Sequence, residues 1–231
     1  MFFSSARQAF RFAEIGEIIG LKNRVIYLLH EVLRSPDTER LREFSIQAHP
    51  LGFLCIKWDL DNQQSLRIHI WDRNLKSTQI PNWPIHDHVF KFRSVILVGS
   101  VQNKTYQILG HLNKKNWNIF EVVYEGYTSK LVWRGISSPI KSVASNFQSA
   151  GTYYDMSART LHRTILRSDF AVTVLATTRV GLDQFSPIVV GDHSKFTHVF
   201  DRRPLEINTK LHLMRKCLEI LETESTLTGT S

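Results

Sequence analysis

Between Ser65 and Trp71 the chain alternates, with Leu66, Ile68 and Ile70 apolar and Arg67, His69 and Trp71 between them. Successive side chains of a strand point to opposite faces, so this period of two predicts a strand with one apolar and one polar face. Similar short stretches rich in β-branched and aromatic residues run on from Leu51, parted by polar turns. We assign strands to 51–58, 65–72, 87–98, 104–109, 117–124, 129–134, 151–156, 161–167 and 170–178. That even, short spacing predicts an all-β sandwich or barrel. Helical periods occupy the two ends. Ile26, Leu29 and Leu33 recur at helix spacing, widened by Val25, Leu28 and Val32, and Ser35-Pro36-Asp37 reads as the start of a short helix through Leu41 and Phe44. Leu211, Met214, Leu218 and Leu221 form a second stripe, read as a packing face with a homodimer contact as the alternative. The serine-rich segment from Gly135 to Ala150 has no strong period and predicts a surface excursion, with its use as a lid left open. The expected organisation is a helical extension over 1–48, a β-barrel over 49–205, and a helix and tail over 206–231.

Composition narrows the class. Hydrophobic residues make up 42% of the 231 positions and aromatics 11%, enough to fill a core and to exclude a disordered chain. The longest apolar runs, near 95–98 and 171–176, are too short for a spanning helix, so no membrane segment is expected. Only two cysteines occur, Cys55 and Cys217, far apart and outside any ligand spacing, which argues against a disulfide framework and fits a reducing, cytoplasmic setting. The formal charge is +8, yet Lys and Arg are scattered and no nucleic-acid-binding module accompanies them, so nucleic acid is not an expected partner.

The candidate chemistry lies in histidines. His86 and His88 flank Asp87, and residues two apart on a strand share a face, so both could grip one ion; His162 could supply a third ligand. Asp87, of opposite parity, is a poor ligand on an unbroken strand, whereas Phe92 shares the parity of the two histidines and should face the same space. Tyr154 could donate a hydrogen bond to a bound substrate or serve as core packing. The polar face of 65–71 looks either into a barrel, where Arg67 and His69 could hold an anionic group, or outward to solvent, the commoner arrangement. Arg93 has the parity opposite to the histidines, and its direction is left open.

The placement of these histidines resembles the cupin superfamily. Its first motif is matched by His86, His88 and the closing Gly99, with Ile80 and Phe92 where the motif has glycine and glutamate. Its second motif is matched at the ends by Gly151 and His162, with Ser157 and Arg159 where it has proline and glycine. Within that superfamily the likeness is to cysteine dioxygenase and related thiol dioxygenases, carried by Ile85 to His88, the strand ending at Gly99, Tyr154, and Leu161-His162-Arg163, and it covers roughly residues 51–178. The resemblance implies a mainly β, cupin-type jelly-roll barrel in which three histidines hold Fe(II) while thiol substrate and O₂ bind side by side. It departs where Leu175 and Thr177 replace the family's histidine and tyrosine. The family's carboxylate-binding arginine falls near Leu54, so Lys57, Arg67 or Arg93 would have to stand in.

The reading that follows is a metal-dependent dioxygenase acting with O₂ on a small, thiol-containing or anionic molecule, with His86, His88 and His162 as ligands. Tyr154 would be its catalytic residue, and Arg67, His69, Phe92 and Arg93 its substrate-binding residues. Ni, Mn or Zn in an isomerase or hydrolase is an alternative, as is a ligand-binding cupin without activity.

Overall fold

A computed structural model describes residues 18–34, 45–75, 77, 79–110, 116–181, 185–192, 197–201 and 206–227. The short helix expected from Pro36 to Phe44 lies outside them. The fold is mainly β and jelly-roll-like, two sheets facing each other with a helix from each end of the chain laid on one of them.

The six-stranded sheet runs in the order β1 (Ser45–His49), β2 (Phe53–Asp59), β3 (Gln64–Asp72), β12 (Phe170–Arg179), β5 (Phe90–Val98), β10 (Tyr153–Met156). The eight-stranded sheet runs β14 (His198–Asp201), β8 (Thr128–Ser138), β7 (Trp117–Glu125), β13 (Ile188–Gly191), β4 (Ile85–His86), β11 (Leu161–Leu166), β6 (Ser100–Ile108), β9 (Ile140–Ser149). Helix α1 spans Ile18–Arg34 and α2 spans Ile207–Leu227.

The main core lies outside the barrel. Leu21, Val25, Leu29 and Val32 of α1 are buried at helical spacing, and with Met214, Cys217, Leu218 and Leu221 of α2 they cover one face of the six-stranded sheet. That face is the apolar one: Leu54 and Ile56 of β2, Leu66, Ile68 and Ile70 of β3, and Val172 and Val174 of β12. Met214, Leu218 and Leu221 of the stripe at 211–221 thus pack within the chain. Lys216 of α2 adds an ion pair to Asp72 at the end of β3. Burial alone would raise the Asp72 carboxyl, but the Lys216 ammonium and the Asn74 amide outweigh it and hold the group below its ordinary range.

Five segments differ from the expectation. Ser45–His49 pairs as a strand with β2 inside the stretch assigned to a helical extension. The 135–150 segment is no excursion or lid: β8 continues to Ser138, and β9 pairs along β6 at the sheet's edge, exposed along almost its whole length. The expected strand 87–98 begins only at Phe90, because the chain crosses from one sheet to the other between His86 and Phe90. Two further short strands, β13 and β14, lie beyond the last one assigned. The closing Gly99 has φ +71° in the one-residue turn where the chain passes from β5 in one sheet to β6 in the other, and a Cβ there would stand 2.0 Å from the Phe170 carbonyl oxygen, so only glycine fits.

Since α1 shields the six-stranded sheet, Leu29→Ala should lower unfolding free energy by about 2–5 kcal/mol, read as a shifted urea midpoint with an unchanged slope. An unchanged midpoint would show that the helix does not stabilise the barrel.

Candidate metal centre

β4 and β11 are neighbours in the eight-stranded sheet, and His86 stands directly opposite His162 in their antiparallel register. His88 follows two residues later, past the end of β4, in the crossing segment. The three rings converge between the sheets, with centroid separations of 4.7 Å for His86–His162, 4.8 Å for His86–His88 and 5.2 Å for His88–His162. One ring nitrogen from each lies within 4.8 Å of the other two. The sequence spacing and the folded geometry select the same three residues.

Two of these rings have a defined tautomer. His86 Nδ1 lies 2.9 Å from the Pro84 carbonyl, and His162 Nδ1 lies 3.0 Å from the Thr160 carbonyl. A carbonyl only accepts, so in the neutral ring Nδ1–H donates and the lone pair is left on Nε2, the usual arrangement behind a metal ligand. Burial keeps the rings neutral. It pushes His162 down to about 3, helped by the nearby His86 and opposed by the Thr160 bond. His86 is lowered by burial against the Pro84 bond, and His88 well below its ordinary value by burial and then by His86, His162 and Arg67. Neutral imidazole is the form that coordinates, so the donor set suits a divalent transition metal.

The opposite wall is the inner face of the six-stranded sheet. Because the apolar face of β3 is committed to the helices, Arg67 and His69 turn inward, overturning the commoner solvent-facing arrangement. One row across this sheet reads Lys57, Arg67, Leu175, Ser94, Tyr154, and the next contains Ser65, Thr177, Phe92 and Met156. The Arg67 guanidinium lies 4.4 Å over the Phe90 ring, which stacks on His88 at 4.7 Å. Phe92 stands 5.8 Å from His88 and 6.0 Å from His162. His69 is held neutral, lowered to about 3 by burial, then by Arg67 and His86. The space between the two walls, open to solvent at one side, is about 980 Å³.

The Tyr154 ring packs against Phe92 at 6.0 Å. Burial raises its phenol, opposed by the nearby side chains of Ser94 on β5 and of Asn103 and Thr164 on the facing sheet, so the residue sits between the two sheets at the chamber wall. Cys55 also lines the chamber, directly across from His69, whereas Cys217 is sealed among the helices with its thiol pushed up to about 12 by burial. His198 packs edge-on to Trp83 at 4.8 Å, away from the triad.

Arg93 must be reassigned. It is turned off the chamber and forks onto Asp155 with bonds of 2.8 and 3.0 Å, because it neighbours Phe92 on β5 and the alternation that sends Phe92 inward sends Arg93 out. What sequence reasoning missed is the pair Asp87 and Arg159. The Asp87 carboxylate is buried and sits 3.1 Å from the Arg159 guanidinium. The only trace in the sequence is the mismatch of Arg159 with a motif glycine, and Arg159 does adopt a glycine-like φ of +64°.

No family model matches the sequence, and no curated protein matches it. Among solved structures, it is similar to Bacillus subtilis oxalate decarboxylase in a study of that enzyme's Mn(II) centres, with a TM-score of 0.36, 10% identity, and coverage of 63% of this chain and 31% of that one. A tryptophan-to-tyrosine variant of the same enzyme gives a TM-score of 0.35 at 10% identity with the same coverage. The chain spans about a third of the length of these neighbours.

His162→Ala should weaken Co(II) or Fe(II) binding by more than about 100-fold, measured by chelator competition, while the far-ultraviolet circular dichroism stays that of a β protein. Equal affinity in the variant would remove His162 from the centre.

Proposed function

We propose that this chain is a mononuclear metal enzyme of the cupin type, in which His86, His88 and His162 hold Fe(II) and an anionic substrate, thiol compounds among the candidates, is oxidised with O₂. The observation that carries this reading is the convergence of three neutral imidazoles, two with Nδ1 turned to a carbonyl, on one point of a chamber walled by Arg67 and Phe92. An ion held by three neutral ligands keeps its double charge and open positions, and so supplies Lewis acidity and one-electron chemistry where O₂ and substrate can meet.

The chain's own residues would bind and orient. Arg67, stacked on Phe90 beside His88, offers charge-assisted bonds to a substrate anion. Lys57 is the next cation along that row, with its ammonium 2.8 Å from Asp59. The acids lining the space among the described residues, Asp59 and Asp61, are both exposed, so the inner part favours negative ligands. Phe90, Phe92 and Leu175 exclude water, and Tyr154 positions the wall around them. At about 980 Å³ the chamber is at the upper end of sites that enclose drug-sized ligands. A substrate larger than a free amino-acid thiol therefore suits it better than the small molecule implied by the resemblance.

A second reading is favoured by Leu175, which packs with Phe92 and Met156, and by Thr177, whose hydroxyl is 2.6 Å from that of Ser65. Neither offers the polar partner of the thiol dioxygenases. Ni, Mn or Zn in a non-oxidative reaction, or a cupin that only binds its ligand, would suit such a wall.

Elemental analysis of protein purified with added iron, followed by oxygen-uptake measurements on a panel of thiols and organic acids, tests the choice. Near-stoichiometric iron with uptake on at least one anion is expected. Another divalent metal with no uptake would move the assignment to the second reading. Arg67→Gln should raise KM for the responding anion by about 10–100-fold, the equivalent of one lost charged hydrogen bond, with metal content unchanged. An unaltered KM would exclude Arg67 from substrate binding.

A further inference from the structure

The segments that carry the three imidazoles are tied together by a side chain that does not line the chamber. Arg159 lies three residues ahead of His162, in the turn before β11, with φ at +64°, a backbone state that glycine adopts freely and arginine rarely. Its N–H donates to the His88 carbonyl at 2.8 Å. Its guanidinium donates to the Ser186 carbonyl at 2.7 Å and meets Asp87 Oδ2 at 3.1 Å. The Asp87 side chain is 1% exposed, and its other oxygen accepts the Ile188 amide at 2.7 Å. One residue therefore joins the His86–His88 segment, the turn leading to His162, and the chain entering β13. A glycine would suit the backbone of this turn better; what arginine adds is the charge that meets a buried carboxylate and the reach to a second strand.

We propose that the Asp87–Arg159 ion pair is a positioning device for the metal centre, setting the spacing of His88 from His162 and through it the affinity and coordination geometry of the bound ion. This rests on the metal-binding reading above. Both residues act through the histidines and touch no reacting atom. The barrel itself is held by its ladders and by the helix layer on the other sheet, so the pair should govern the centre more than the fold.

Co(II) is the probe, bound to the full chain after metal removal, in wild type, Arg159→Gly, Arg159→Lys and Asp87→Asn. Arg159→Gly eases the backbone while deleting the guanidinium, so its metal-free melting temperature should stay close to that of wild type. Its Co(II) affinity should fall about 10–100-fold, the loss typical of groups that orient ligands, with displaced d–d absorption bands. Asp87→Asn should do the same, and Arg159→Lys, which keeps a cation for Asp87 but only one compact donor, should recover part of the affinity. Wild-type affinity and bands in either folded variant would overturn the proposal. Loss of the fold in both would also overturn it, since the pair would then be holding the barrel. If wild type itself binds no Co(II) and matches His86→Ala, the metal reading fails and the clamp with it, an outcome distinct from unchanged variants of a binding wild type.

Discussion

The burial of one face of the six-stranded sheet beneath α1 and α2 is the interaction on which the rest depends. Each Leu, Ile or Val removed from water there contributes about 1.5–3 kcal/mol, and the buried row runs through β2, β3, β5 and β12. Alternation then leaves no freedom to the other face: with Ile68 and Ile70 under the helices, Arg67 and His69 must look into the barrel. A one-residue slip of β3 would exchange the two sets, placing a guanidinium against leucines. The polar interior is thus a consequence of where the apolar core lies, outside the barrel, and the chamber inherits its chemistry from that choice.

On the other side of the chamber, the ligand set is organised by main-chain geometry. Register brings His86 against His162, and the end of β4 frees His88 to turn toward both. Each strand-borne ring finds a carbonyl of its own segment, Pro84 or Thr160, two residues back. That local bond orients the imidazole before any ion arrives, so less ordering is left for binding to accomplish. Asp87, between the two histidines, has the parity that turns it out of the chamber, which is why its carboxylate is available to Arg159 and to the Ile188 amide and takes no place among the ligands.

Much of this was legible in the sequence, for reasons that differ by element. Strands with one face on a core, such as β3 and β12, carry an alternating or apolar signature that periodicity detects. β9 is exposed along nearly all of its length, so its serines show no period, and it is held to β6 by the backbone ladder and by the side-chain bonds Gln102 to Ser145 and Asn103 to Gln148. β1 buries little besides Ile46, and β13 and β14 are four residues each, too short for a pattern to stand out. The three histidines were readable from spacing. The direction of Arg67 was not, because alternation states that there are two faces without stating which one faces the barrel. Arg159 was the least readable, since its part depends on a backbone conformation that its residue type ordinarily avoids.

The electrostatics of the chamber connect these levels. The three imidazoles, His162 buried and His86 and His88 half-buried, resist protonation, so they neither repel a divalent ion nor diminish its charge. Arg67 sits close enough to depress His69 and His88, and its cation rests on the electron-rich face of Phe90. The lining acids are at exposed positions, where Asp59 is engaged by Lys57 and Asp61 caps the amides of Gln63 and Gln64 at 2.7 Å. Charge in the interior is therefore of one sign once an ion is present, and in a low-dielectric space such an excess is relieved most effectively by a ligand that carries the opposite sign. The anionic substrate proposed above draws on this excess of positive charge, with the aromatic surfaces of Phe90 and Phe92 beside it.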